Sequence, residues 1–437
     1  MAMLSYIISF LVVCVSYLVY QRYTNTYTSF ISKPEKRYDY IIGDWCWDSR
    51  MCTRLSSLRR PFAQDTINRS CFYCCSSQIN FLLHGFGLPE DYNRWSRLGF
   101  KGWTLDDLKP YFLKAFGTVK SEFDSDNCPP KGFSSSAIAD KHTIFRKATA
   151  NIKDGSRYQT YDAYLKPALR RKNLHVLLKT QGISIRFENK KATSLYILQD
   201  HRNLDNIFVN KEIILSAGSI KTPQIMLLSG IGPRSLIKRL RIDLVSENEH
   251  VGNNLHDHMN IPIYVSIKKP ISVTLAKVFS VSTLVDYFWK SSGYLSFPPV
   301  AGVEYRNSSA LMLFSMGSSS ERLLRDLSNY KPKFSADKPS IDAKYKQEAK
   351  SKPKTLSPPN EYLECIIREI SVTGHHVAGT CAGGRVVDNN LRVKDVKGVR
   401  IMDASVLPSP VSLYPNSIIV AMAEKAADLI TKSPEIK

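Results

Sequence analysis

Two stretches of this sequence could do chemistry on residue type and spacing. His375 and His376 stand side by side. An imidazole titrates ordinarily near about 6.5, so it can take or give a proton near neutral pH. Tyr38-Asp39-Tyr40-Ile41-Ile42-Gly43 is a short apolar run that ends on glycine, as at the start of a dinucleotide-binding unit. A metal centre is not expected. Cys71, Cys74 and Cys75 lie close together, but no second ligand cluster follows at zinc-site spacing. With nine cysteines in the chain, one or two disulfides are expected if it enters an oxidising compartment.

These residues need elements to hold them. Asp91 to Phe116 is rich in Trp and Tyr and reads as helical in parts, whereas residues 117–154 read as polar and irregular. Asn173–Phe187 and Ile207–Leu215 read as strands. Ser219–Leu228 reads as a helix, capped by Ser219 and ended at Ser229-Gly230. Residues 262–360 have poor periodicity, Tyr362–Thr373 resembles a strand, and Ile418–Thr431 is a helix with a small, apolar face. Alternating strands and helices around an irregular middle predict an α/β protein with a second domain inserted into it.

The chain has 437 residues, enough for two joined domains, and a formal net charge of +21. Nucleic acid is nevertheless not expected as a partner. The Lys and Arg are spread along the chain without a nucleic-acid motif, and the densest run, Lys331–Lys354, reads as a solvated loop. Leu4–Tyr20 is nearly all apolar or aromatic, and Arg22 follows it. It predicts a cleavable signal or an uncleaved membrane anchor, hence a secreted or membrane-anchored protein. Asn68-Arg69-Ser70 and Asn307-Ser308-Ser309 are glycosylation sequons that agree with that route.

Several collinear segments resemble the glucose–methanol–choline (GMC) family of flavin-dependent oxidoreductases. Gly218-Ser219-Ile220-Lys221-Thr222-Pro223 through Leu228-Ser229-Gly230-Ile231-Gly232 is similar to the family's second signature. Val251-Gly252-Asn253-Asn254-Leu255-His256-Asp257-His258 follows its pattern, with His256 where Gln is usual. His376-Val377-Ala378-Gly379-Thr380-Cys381, Asp403-Ala404-Ser405 and the helix from Ala421 to Asp428 continue the series. The tone of the C-terminal segments resembles the insect branch. With gaps, the resemblance spans residues 38–432.

The resemblance implies an FAD-binding Rossmann-like α/β domain with an inserted α+β substrate domain. Residues 1–37 would be signal or anchor and linker, and 38–116 an incomplete first part of the FAD domain. A shortened insertion would occupy 117–154, and the second FAD part 155–261. The substrate domain would span 262–361, and residues 362–437 would close both sites. The family's base, a His before Gly-Thr-Cys, is His376 here, and its partner position falls on Tyr414, a poor base at an ordinary pKa near about 10. Flavin contacts carry over to Gly43, Ser76, Asn80, Ile183, Asp403, Ala404 and Asn416.

The glycine loop departs from the family pattern. Where G-x-G-x-x-G lets backbone N–H groups approach a pyrophosphate, this chain reads Gly43-Asp44-Trp45-Cys46-Trp47-Asp48. Trp45 fills the phosphate space and Asp48 repels its charge, so FAD binding is expected to be weakened or lost. Asp65 lies at the distance of a ribose-binding acid. Cys74-Cys75 replace the Gly-Gly of the first signature. The expected activity is FAD-dependent oxidation of CH–OH groups of a small alcohol or sugar. The alternatives are a non-catalytic binding protein on the same scaffold and an incomplete gene product.

Overall fold

The computed structural model describes residues 36–43, 76–116, 143–314 with short breaks (the longest at 262–272), and 364–432 with short breaks. The N-terminal apolar run, Trp45, Asp48, Asp65, Cys71, Cys74, Cys75, the first residue of each sequon and the basic loop all lie outside the described residues.

A five-stranded sheet carries the site. Strand β1 (Arg37–Gly43) runs parallel to β4 (Asn203–Leu215), and β4 pairs antiparallel with β3 (Lys191–Gln199), which pairs antiparallel with β2 (Thr180–Glu188). On the same side of β4 as β3, but opposite its last residues Ile213–Leu215, β5 (Val399–Ile401) adds a third parallel strand. β4 is buried along its last residues, Ile213, Ile214 and Leu215, as expected of a strand covered on both faces. The register sets Gly43, Leu215 and Ile401 abreast. The three parallel strands therefore end together, where open α/β sheets form ligand crevices.

Arg400 lies inside this sheet. Its Nε is 2.5 Å and its Nη2 3.1 Å from the carboxylate of Glu212, with both side chains at most 1% exposed. A third donor, Nη1, reaches the Asn390 carbonyl at 2.7 Å. Such a pair survives burial because its fork geometry satisfies both charges.

Helix α3 (Gly218–Leu228) follows β4 after a two-residue turn. The Ser229 hydroxyl at its end accepts from the Ile185 N–H at 2.7 Å and ties it to β2. Ser219 does not cap this helix: Ala217 is the N-cap residue, and no side chain at that position caps it. Gly218 is needed at the turn because its φ is +78°, where a Cβ is strained.

The aromatic-rich segment forms α1 (Pro89–Arg97) and α2 (Leu105–Phe116). Tyr92, Trp95, Phe100, Trp103 and Phe112 are fully buried. The two indoles keep their polar handle satisfied: Trp95 Nε1 donates to the Ser409 carbonyl at 3.2 Å and Trp103 Nε1 to the Asn389 carbonyl at 3.0 Å. They bolt the C-terminal third of the chain onto this cluster. The last helix, α4 (Pro415–Lys432), packs on α2, with Lys114 2.7 Å from Glu424.

Three expectations are corrected. Residues 117–154 are not wholly irregular, for Thr143–Lys147 is a strand that pairs with Val300–Arg306, itself paired with Ser309–Phe314. Part of that stretch thus shares a sheet with residues 300–314. Asn173–Lys179 precedes β2 rather than belonging to it, and the intervening hairpin partner β3 was unread. Among the described residues of the segment 362–373, the strand is Val372–Thr373, which pairs with Met259–Asn260, and residues 367–369 are helical.

Candidate active site

The strand pair Met259–Asn260 and Val372–Thr373 brings two histidines together. Its neighbours on the two chains are His258 and His376, and their Nδ1 atoms lie 2.8 Å apart. The rings meet edge to face, with centroids 5.0 Å apart at 88°. Asp257 fixes both backbones. Its Oδ1 accepts from the His258 N–H at 2.8 Å and the His376 N–H at 2.7 Å, and its Oδ2 accepts from the Thr373 hydroxyl. His375 turns the chain with φ of +58°, a left-handed conformation that His tolerates better than branched residues do.

His376 is part-buried, and desolvation pushes its pKa down to about 4, helped by His258 and opposed by Asp257. It is therefore a neutral imidazole at neutral pH, able to accept a proton. Tyr414 packs against it edge to face, with ring centroids 6.0 Å apart. Burial pushes the Tyr414 hydroxyl well above its ordinary range, so it stays protonated and can only donate or accept a hydrogen bond. The sequence-expected pair, His376 and Tyr414, is thus in contact.

The loop after His376 leads directly to the strand ends. Gly379 N–H donates to the Ala404 carbonyl at 3.1 Å, and the backbone around Ala378 pairs with His256. A Cβ at Gly379, φ +91°, would stand 2.5 Å from His256 Nε2 and 2.5 Å from the Asn254 carbonyl, so only glycine closes this approach. His256, standing where the family pattern has Gln, directs Nε2 to the Leu407 carbonyl at 3.2 Å, a donor role that Gln could also fill.

Asp403 follows β5 at the carboxyl edge. It is buried, and its Oδ2 accepts from the Gly218 N–H at 2.9 Å and the Thr222 hydroxyl at 2.6 Å. Its Oδ1 accepts from the Ser405 N–H at 2.8 Å. Burial raises its pKa, and these donors counter the shift. Asp403 thus does from across the fold what Ser219 was expected to do, and satisfies an orphan donor of the α3 N-terminus. Ser219 Oγ is buried without a hydrogen-bond partner among the described residues.

The other expected contacts are more dispersed. Gly43 ends β1 beside Leu215, and Ala404 follows Asp403, so both sit at the strand ends. Asn416 lies in the first turn of α4, two residues beyond Tyr414. Ile183 sits on β2 at a register shift in its pairing with β3. Ser76 opens a single helical turn and is exposed. Asn80 is held by Arg157, whose Nη1 donates to its Oδ1 at 2.7 Å and Nη2 to its carbonyl at 2.8 Å. No described contact joins Ser76, Asn80 or Ile183 to the histidine pair. His258 and Asp257 also belong to the site, a role that the family pattern does not by itself assign. The spacing His-Asp-His, two imidazoles around a carboxylate, was the available signal.

Two sequence models described as GMC oxidoreductase match residues 74–260 and 315–423. The chain belongs to the GMC oxidoreductase family. Among its relatives, human mitochondrial choline dehydrogenase is 27% identical over 83% of this chain and 75% of its own length. From Drosophila melanogaster, the protein named neither inactivation nor afterpotential protein G is 26% identical over 82% and 76% of the two chains. Glucose dehydrogenase [FAD, quinone] of the same insect is 25% identical over 82% and 73%. Insect relatives are thus present, as the C-terminal segments suggested.

Solved structures share the fold. An FAD-dependent oxidoreductase from Chaetomium thermophilum superposes with a TM-score of 0.63 at 18% identity, covering 82% of this chain and 85% of that one. A formate oxidase gives 0.62 at 17% identity, covering 82% and 83%. The fold is the family's α/β nucleotide-binding domain with a second, substrate domain.

The strand ends can be tested as a dinucleotide site. No described atom lies within 4 Å of the place where a Cβ on Gly218 would stand, and Ser219 Oγ is an unspent hydroxyl at the α3 N-terminus. Open backbone and a free donor beside a helix N-terminus suit a phosphate-bearing group. Gly43, Gly218, Ser219 and Ala404 fit such a group.

Proposed function

We propose that this chain is an FAD-dependent oxidoreductase acting on CH–OH groups of a small alcohol or sugar. The observation that carries the reading is His376: a neutral imidazole, fixed through Asp257, packed against Tyr414, on a loop bonded to the turn at Ala404. The names of the relatives, choline and glucose dehydrogenases, support the donor class.

FAD, when bound, supplies the hydride acceptor. His376 takes the hydroxyl proton of the donor as the carbon loses hydride. Tyr414 orients the donor oxygen. Gly43, Gly218, Ser219 and Ala404 would hold the dinucleotide at the strand ends, with Asp403 bracing the turn between them. Trp45 and Asp48 in the glycine loop make that binding weaker than in a glycine-rich loop. The apolar run Leu4–Tyr20 and the sequons at Asn68 and Asn307 support entry into the secretory route.

The test is anaerobic reduction of FAD-loaded protein by a panel of alcohols and sugars. His376→Ala should slow reduction by about 10²- to 10⁴-fold, the usual cost of losing a general base. Reduction of His376→Ala at the parental rate would overturn the assignment.

A further inference from the structure

We propose that His258 is a positioning residue that holds His376 in the Nδ1–H tautomer and so leaves His376 Nε2 as the proton acceptor. The proposal rests on the reading of His376 as the base.

The argument is a chain of donors and acceptors that starts at a backbone carbonyl. His258 Nε2 lies 2.6 Å from the Val411 carbonyl oxygen. A carbonyl only accepts, so the proton of a neutral His258 is on Nε2. Its Nδ1 is then bare, and that atom lies 2.8 Å from His376 Nδ1. Two bare nitrogens at that distance would repel, so His376 Nδ1 carries the hydrogen and donates it. A neutral imidazole has one N–H, and His376 Nε2 is therefore left with its lone pair.

Each anchor of the chain is itself fixed. Val411 is buried, and the next residue, Ser412, donates its N–H at 2.7 Å and its hydroxyl at 2.8 Å to Asp91 at the start of α1. The carbonyl that orients His258 is thus tied to the aromatic cluster. Asp257 holds the backbones of both histidines through one oxygen. The same bonds make the device sensitive to protons. Protonated His258 carries a hydrogen on Nδ1 and must donate to His376 Nδ1, which moves the His376 proton to Nε2 and removes the acceptor. The groups that face the pair are Asp257, His375 and Tyr414, with His256 two residues before His258.

The tautomer can be read without turnover. Full-length protein labelled with ¹⁵N-histidine has nine labelled rings, and His376→Gln identifies the pair of signals that belongs to His376. At mildly alkaline pH the parent should show His376 protonated on Nδ1 and bare at Nε2. His258→Phe keeps a ring but removes the acceptor, and should shift the His376 population toward Nε2–H. His258→Gln should keep the parental tautomer, because its amide can donate to Val411 while its oxygen accepts from His376. Its turnover should therefore persist while that of His258→Phe falls by roughly 10²-fold in kcat at similar KM, the scale of a general-base contribution.

His376 protonated on Nε2 in the parent would overturn the proposal, as would a tautomer unchanged by His258→Phe. If that variant does not fold, the parental tautomer and the tautomer retained by His258→Gln decide the matter. Parental activity in His376→Ala would instead remove the base assignment, whatever the spectra show.

Discussion

Asp403 and Thr222 are 181 residues apart in sequence, yet the Thr222 hydroxyl donates to the Asp403 carboxylate at 2.6 Å. The same oxygen receives the Gly218 N–H, so one buried side chain caps a distant helix and sets the turn that carries Ala404. Asp403→Asn turns one accepting oxygen into a donor facing donors. A loss of about 1–3 kcal/mol in unfolding free energy is expected, the usual penalty for an unsatisfied buried group. Urea unfolding checks it. A midpoint within error of the parent would mean that the cap contributes nothing to stability.

The sheet and its helices were legible where the sequence repeats a local signal. Tyr38–Gly43, Ile207–Leu215 and the helix after Gly218 are legible because apolar runs meet glycine, and the buried end of the second strand, Ile213–Leu215, leaves few other readings. The cap on that helix was not legible. Ser219 is the right residue in the right place by local rules, but the carboxylate that does the work comes from residue 403. The strand Thr143–Lys147 was hidden for the same reason: its partner, Val300–Arg306, lies far along the chain. His376 with Tyr414 was found from the family pattern. His258 was not, because its part in the site depends on which nitrogen meets which, and spacing does not encode that.

Two histidines should make the protein sensitive to acid. Desolvation holds both His84 and His376 down to about 4 from an ordinary 6.5. Their folded pKa lies below the unfolded one, so between those values the unfolded chain binds protons that the folded chain refuses. Stability is then full above about pH 6.5 and falls as pH drops toward 4. His84 contacts Phe86 and Phe116 edge to face and Ser417 at 2.8 Å, away from the histidine pair. His84→Gln should therefore flatten the decline in the urea midpoint between pH 7 and 5 without abolishing it. A parental slope in this variant would show that the acid sensitivity arises elsewhere.

Flavin retention should respond to the glycine loop. The parent is expected to purify with less than one FAD per chain. In the family pattern Asp48 stands in the loop that receives the pyrophosphate, so Asp48→Gly should raise affinity by roughly tenfold, which corresponds to about 1.4 kcal/mol. Trp45→Gly together with Asp48→Gly should raise it further by clearing space. Titration of each protein with FAD, followed by quenching of flavin fluorescence, measures this. Stoichiometric flavin copurified with the parent would count against a weakened site.

On the proposed reading, Tyr414 orients the donor oxygen toward His376. Its ring contacts His376 edge to face, and burial keeps its hydroxyl protonated through the working range of pH. It can therefore orient the donor but cannot share in removing the proton. Tyr414→Phe keeps the ring contact and loses one hydrogen bond, which is worth about 0.5–1.5 kcal/mol, or roughly three- to tenfold. The loss should fall in kcat/KM and leave the acid limb of the rate profile in place, because no titrating group has been removed. Tyr414→Asn restores the residue type usual in the family and retains a donor, but it gives up the ring that packs on His376. Its turnover should exceed that of Tyr414→Phe if donation matters more than packing. Stopped-flow reduction of the FAD-loaded variants across pH separates these effects. A shifted acid limb in Tyr414→Phe would show that the hydroxyl is coupled to the histidine pair, and the division of roles between His376 and Tyr414 would have to be redrawn.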